Sequence, residues 1–141
     1  MSDEHKAVVR GYIEDVMNGG QGDVSLFHRY VHVDAILHNA YPAQGSTADA
    51  WKERVRIFAA AFSEIYVTVE DQVAEGDKVV TRTIFRGTHT GNFQGIAATG
   101  VRIAADEIQI TRMKDGKIAE RWSLLDHISI LKQLGRDSYP R

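Results

Sequence analysis

Tyr66–Gly91 reads YVTVEDQVAEGDKVVTRTIFRGTHTG. Apolar and β-branched residues alternate with polar ones on both sides of Glu75-Gly76-Asp77, which predicts two long antiparallel strands joined by a tight turn. Working toward the C-terminus, Val101–Met113 (VRIAADEIQITRM) alternates in the same way after a Gly-rich connection, GNFQGIAATG. Lys114-Asp115-Gly116-Lys117 supplies an Asp-Gly hairpin turn, and KIAERWSLLD closes the strand series at Asp126. The apolar HISILKQLG that follows suits a helical turn or two over the sheet.

The N-terminal side has a different period. Asp3 caps a helix with the stripe Val8, Val9, Tyr12, Ile13, Val16 and Met17, which ends at Asn18-Gly19-Gly20. Asp23 begins a short second helix carrying Leu26, Phe27 and Tyr30. An extended piece, VDAILHNAYP, then puts Ile36 and His38 on one face. Ser46 or Thr47 caps a third helix whose Trp51, Val55, Phe58 and Phe62 share a face.

Helices followed by long hairpins describe an α+β domain and not a βαβ array. The predicted strands exceed the usual length of about 5–6 residues. Such strands must curl, so the expected architecture is a cone-shaped, curved, mixed or antiparallel sheet against three N-terminal helices, with a pocket between. Residues 1–141 are expected to form one domain, since 141 residues is the size of a single core.

Composition narrows the function classes. The chain is 43% hydrophobic and 26% charged, as in ordinary globular proteins. Its formal charge of −2 gives no long-range attraction to nucleic acid or an anionic membrane. No apolar run could span a bilayer, and MSDEHK has no signal-peptide core, so a cytoplasmic protein is expected. The absence of cysteine excludes disulfides, thiolate nucleophiles and cysteine metal sites. His28 and His32 lie four apart but across a helix-to-strand change, so no metal is expected. The glycines of GTHTGNFQG lack a Gly-Lys-Ser/Thr ending and a following helix, and read as turn formers.

Strand parity selects candidate pocket residues. Val79, Thr81, Thr83, Phe85, Gly87 and His89 share a face, with Arg82 and Arg86 on the other, so the first set is expected inside. On the next strand the isoleucines of Ile108, Ile110 and Arg112 suggest that this set points inward, together with Asp106. On the last strand Ile118, Glu120, Trp122, Leu124 and Asp126 go together. The expected concave surface is apolar with a few ionisable groups, which is the usual form of a small-molecule site. Asp126 has an alternative role as the cap of the segment starting at His127.

Several of these stretches together resemble the SnoaL-like polyketide cyclase family of the nuclear transport factor 2-like superfamily. They are Val67-Thr68-Val69-Glu70-Asp71, Glu75-Gly76-Asp77-Lys78-Val79-Val80, Gly87-Thr88-His89-Thr90-Gly91, Asp115-Gly116-Lys117-Ile118 and Glu120-Arg121-Trp122 with Asp126 four residues on. The resemblance runs from about His38 to Leu134 and implies a cone of curved sheet and three helices. It also implies a cofactor-independent enzyme in which an aspartate removes a proton beside a carbonyl and the enolate closes a ring by intramolecular aldol addition. Asp126 matches that aspartate, and His38 and His89 match histidines that line such cavities. Arg121 stands where a histidine commonly precedes the tryptophan.

On this reading Asp126, His38 and His89 are the catalytic candidates, and Trp122, Phe85, Thr83, Tyr41, Phe93 and Arg112 bind the substrate. A free aspartate with pKa about 3.9 is a weak base, but burial beside Trp122 and Leu124 would raise its basicity. His38, His89, Tyr41 and Thr83 are the donor types available to an enolate oxygen. The expected partners are a small apolar carbonyl compound and a second copy of the chain, docked through the outer sheet face.

Other readings stay open. A ketosteroid-isomerase-like or dehydratase proton transfer would use the same base. Epoxide hydrolysis would need two carboxylates bridged by an arginine, for which Asp106, Arg112 and Asp126 have the right types. A non-catalytic binding or dimerisation domain is compatible with the same fold.

Overall fold

The computed structural model describes residues 2–136. Helix α1 (Ser2–Tyr12) runs into a π-helical segment, Ile13–Asn18, and both bury the apolar stripe read from the sequence: Val9, Tyr12, Ile13 and Val16 are enclosed. The one-turn α2 (Phe27–Tyr30) leads directly into β1 (Val31–Leu37). Thr47 caps α3 (Ala48–Ala61) by accepting from the Ala50 N–H at 3.3 Å. Its buried face carries Trp51, Val55 and Phe58, as the spacing predicts, and also Arg54.

Four long strands follow: β2 (Phe62–Glu75), β3 (Lys78–His89), β4 (Arg102–Lys114) and β5 (Lys117–Leu125). The short α4 (His127–Gln133) completes the described chain. The sheet order is β1-β5-β4-β3-β2, with β1 parallel to β5 and every other pair antiparallel. This is the expected α+β class with a mixed sheet. In the β4–β5 turn Asp115 and Gly116 both have positive φ, 51° and 77°, the combination a type I′ hairpin needs. Gly91 is required for a different reason, because a Cβ there would run into the Ala60 carbonyl oxygen.

One side of the sheet carries the core. Phe58, Phe62, Phe85 and Phe93 form an aromatic cluster, and Tyr12, Phe27 and Trp51 form another, with ring centroids 5.2–6.3 Å apart. The β3 face predicted to be inward, Val79 to His89, is inward: all six of its residues are buried.

The predicted faces of β4 and β5 are reversed. Register places Glu107 opposite Thr83 and Gln109 opposite Thr81, so these polar residues share the inner face. The inner face of β5 is then Arg121, Ser123 and Leu125, which lie opposite Thr111, Gln109 and Glu107. Ile108, Ile110 and Leu124 point outward and are 50%, 37% and 77% exposed. Alternation gives the period of a strand but not its sign. The sign is set by pairing to β3, and the buried carboxylate of Glu107 is tolerated because two arginines meet it.

Candidate active site

Between α1, the π-helical segment and α3 on one side and β2–β5 on the other lies a small, partly open cavity of about 30 Å³. Its apolar wall comes from Ile13, Met17, Val55, Phe58, Val67, Phe85 and Leu125, and its polar wall from Tyr12, Arg54, Glu107, Gln109 and Arg121. Among the described residues Glu107 is the only carboxylate lining it.

The polar wall is one connected set. Arg121 spreads its guanidinium over three acceptors: Nε donates to Gln109 Oε1 at 3.2 Å, Nη1 to Ser123 Oγ at 3.0 Å and Nη2 to Glu107 Oε1 at 3.2 Å. Its flat face covers the Trp51 ring at 5.1 Å. Arg54 enters from α3, where Nε donates to the Tyr41 carbonyl at 3.0 Å and the guanidinium lies 5.0 Å over Phe58. Its Nη2 is 3.7 Å from Glu107 Oε2, close enough for an ion pair but beyond hydrogen-bond reach, and has no hydrogen-bond partner among the described residues. Tyr12 Oη accepts from Trp51 Nε1 at 2.8 Å.

Burial sets the protonation of these groups. It pushes the Tyr12 phenol up to about 12, so the phenol stays neutral at pH 7. It pulls Arg54 down to about 10, which still leaves the guanidinium charged. Nearby His127, packed edge-on to Tyr41 at 4.9 Å and beside Phe58, is held at about 4 by burial first and by Arg54 second. Its imidazole is therefore neutral at pH 7.

Most of the residues singled out in the sequence lie elsewhere. Asp126 is exposed and caps α4, with Oδ1 accepting from the Ser129 N–H at 3.0 Å. The expectation of a sequestered Asp126 is corrected, because the reversed face of β5 carries it outward with Trp122 and Leu124. Asp106 and Arg112 are likewise on the outer side, so the two-carboxylate arrangement for epoxide hydrolysis is not assembled. Among the cavity-lining residues the ratio is inverted, with two arginines about one carboxylate.

His38 is also outside, 40% exposed in its side chain, with Nε2 at 2.5 Å from Glu120 Oε2. Arg112 Nε donates to the other Glu120 oxygen at 2.8 Å, and the pair of donors holds the Glu120 carboxyl below its usual range. The Trp122 ring stacks on His38 at 4.7 Å and receives Lys78 Nζ at 5.7 Å on its face. Trp122 thus shapes an external surface and not the cavity.

His89 is fully buried, but beside Phe62 at 5.5 Å and outside the cavity lining. Its Nδ1 accepts from the Thr99 N–H at 3.1 Å, and its Nε2 has no hydrogen-bond partner among the described residues. Phe93 is in the core beside Phe58 and Phe62, and Tyr41 sits at the surface with its carbonyl turned to Arg54. Thr83 is buried beside Glu107 in register, and Phe85 lines the cavity as expected. His28 and His32 have separate structural partners, Val31 O at 3.0 Å and Lys114 O at 2.7 Å.

Sequence reasoning passed over Arg54, Glu107 and Gln109, and noted Arg121 only as a departure from the family pattern. Arg54 had a visible signal: it falls three after Trp51 and four before Phe58, inside the buried stripe of α3. Glu107 and Arg121 had none except register.

Comparison with known proteins matches residues 7–134 to the model of the SnoaL-like polyketide cyclase family. The aklanonic acid methyl ester cyclase DauD of Streptomyces sp. (strain C5) is 31% identical over 131 residues, covering 91% of this chain and 80% of DauD. The aklanonic acid methyl ester cyclase DnrD of Streptomyces peucetius is 30% identical over 131 residues, covering 91% of this chain and 88% of DnrD. The crystal structure of wild-type IdmH from Streptomyces antibioticus superposes with a TM-score of 0.81 at 27% identity, over 93% of this chain and 98% of that one.

Proposed function

This chain belongs to the SnoaL-like polyketide cyclase family, and on that premise we propose that it closes a ring in a small polyketide-like carbonyl compound, with Glu107 as base. The single observation that carries the assignment of the base is the position of Glu107. It is the one cavity-lining carboxylate among the described residues, and it is held between Arg121 and Arg54.

The chemistry needs no group beyond the chain's own side chains. A Glu107 oxygen takes the proton from a carbon next to a carbonyl, and the C–H electron pair moves onto the carbonyl oxygen as an enolate. Arg121, Arg54 and the Gln109 amide are buried, preorganised charge and dipole where that oxygen would form. The enolate carbon attacks a second carbonyl of the same chain, and the new alkoxide recovers the proton from Glu107. An α-hydrogen flanked by two carbonyls is acidic enough to suit a carboxylate base tied to arginines. The names of DauD and DnrD, which refer to cyclisation of an acid methyl ester, support a carbonyl substrate.

The base step can be read without the natural substrate, through deuterium uptake at the α-carbon of acetylacetone, followed by NMR. Glu107→Gln is expected to lower the enzymic exchange rate by about 10²–10⁴-fold. Asp126→Asn, which keeps a capping side chain, is expected to leave it within about two-fold. The opposite pattern would return the base role to Asp126.

The outer sheet face supports a second proposal, that the chain pairs with its own copy there. Ile108, Ile110, Trp122 and Leu124 line a shallow groove of about 390 Å³ on that face. The acids Asp106 and Asp126 lie toward one end of the strands, and Lys78 and Arg112 toward the other. A two-fold axis across the strands sets the acidic end of one copy against the basic end of the next, as an isologous interface requires.

A further inference from the structure

We infer that the Tyr12 hydroxyl, held on the Met17 sulfur, is the hydrogen-bond donor that the substrate's carbonyl oxygen takes over as it becomes an enolate. This adds a catalytic residue to the cyclase reading and rests on it. A phenol has one O–H to give and lone pairs with which to receive. Trp51 Nε1 donates to Tyr12 Oη at 2.8 Å, and the indole is itself held under the Arg121 guanidinium, so the phenol oxygen is fixed in place. Its proton goes to Met17 Sδ, 3.8 Å away. Tyr12 and Met17 both line the cavity, together with Glu107.

Buried tyrosines ordinarily find a good partner for the O–H. Tyr12 is only 3% exposed, yet it spends its proton on a thioether, which is a weak acceptor. Any carbonyl oxygen improves on that sulfur, and an enolate oxygen improves on it further, because bonds to an ionised acceptor are roughly twice as strong as neutral ones. The gain therefore grows along the reaction, as catalysis requires. Met17 is unbranched and only half-buried, so its sulfur can turn aside when the oxygen arrives.

The arginines supply charge to the same place but are already engaged. Each Arg121 nitrogen serves a protein acceptor, and Arg54 Nε serves the Tyr41 carbonyl. Tyr12 lies close enough to feel Arg121, Arg54 and Glu107, and burial holds its phenol at about 12. It is thus a weaker acid than a β-dicarbonyl compound, so its proton stays on Oη throughout and the C–H proton remains the business of Glu107.

The experiment is the acetylacetone deuterium exchange, resolved into kcat and KM, on Tyr12→Phe, Met17→Leu, Met17→Gln and the two double variants, each checked for folding by circular dichroism. Tyr12→Phe is expected to lower kcat about 10²-fold with little change in KM. Glutamine matches methionine in length but offers an oxygen that keeps the hydroxyl, whereas leucine offers no acceptor. Met17→Gln is therefore expected to exchange about ten-fold more slowly than Met17→Leu. With Tyr12→Phe also present, the two are expected to be equal, because the hydroxyl they compete for is gone. The inference is overturned if Tyr12→Phe keeps kcat within about two-fold, if Met17→Gln is no slower than Met17→Leu, or if the gap persists with Tyr12→Phe. Where Tyr12→Phe does not fold, the Met17 pair decides. Exchange that needs Glu107 but not Tyr12 sinks this inference alone, while a wild-type chain without exchange sinks the cyclase reading and this inference with it.

Discussion

His127 shows how one buried side chain links the site to pH. Its folded pKa is about 4, against 6.5 for the ordinary imidazole, because charging it means leaving water and facing Arg54. Between these values the unfolded chain holds a proton that the folded chain refuses, so acid favours unfolding. Stability from this residue is complete above about pH 6.5, falls as pH drops toward about 4, and is flat below. The urea midpoint is expected to follow that course, and His127→Leu to flatten it in that window. Neighbouring Asp126 illustrates a limit of residue-level reading. A short acid before an apolar segment is equally a base at a strand end and a helix cap, and the distinction lies in which way the preceding strand faces.

At the level of elements, the sheet edge at β2 is closed by side chains. Asn18, at the end of the π-helical segment, donates to Val67 O at 2.9 Å and accepts from Val67 N at 2.7 Å. Gln21 does the same for Ile65, at 2.8 Å and 2.9 Å. The two amides stand in for a missing neighbouring strand and fix the π-helical segment, and thus Ile13 and Met17, against the cavity. Asn18→Ala is expected to cost about 1–3 kcal/mol in a urea titration, because two part-buried backbone groups lose their partner.

These elements were legible to different degrees. The hairpin of β2 and β3, the cap of α3 and the Asp-Gly turn are local events, and local residues specify them. The inner face of β3 was legible because Arg82 and Arg86 mark its outside. On β4 the apolar Ile108 and Ile110 lie outside and Glu107 and Gln109 inside, so hydrophobicity pointed the wrong way. Nothing local to β4 records that Arg54, more than fifty residues upstream, supplies the countercharge.

On the scale of the whole molecule, a small polar cluster sits within an apolar core, and several large apolar residues lie on the open sheet face. Surface apolar residues are ordinary when scattered, but a contiguous group rimmed by charges marks a contact surface. The proposed self-association therefore makes a direct prediction: the protein sediments at twice the chain mass, and Leu124→Glu, 77% exposed in the single chain, yields folded monomers. A wild-type chain that sediments as a monomer at millimolar concentration would remove the proposal.

The stack of His38 on Trp122, clasped by Lys78 and the Glu120–Arg112 pair, lies toward the basic end of that same open face. Trp122 is one of the two indoles in the chain, and the other, Trp51, is sealed beneath Arg121. Under the proposed pairing, dilution would change the surroundings of one fluorophore and leave the second constant. Such pairing would give the chain its own optical gauge of assembly, with an internal reference and no added dye.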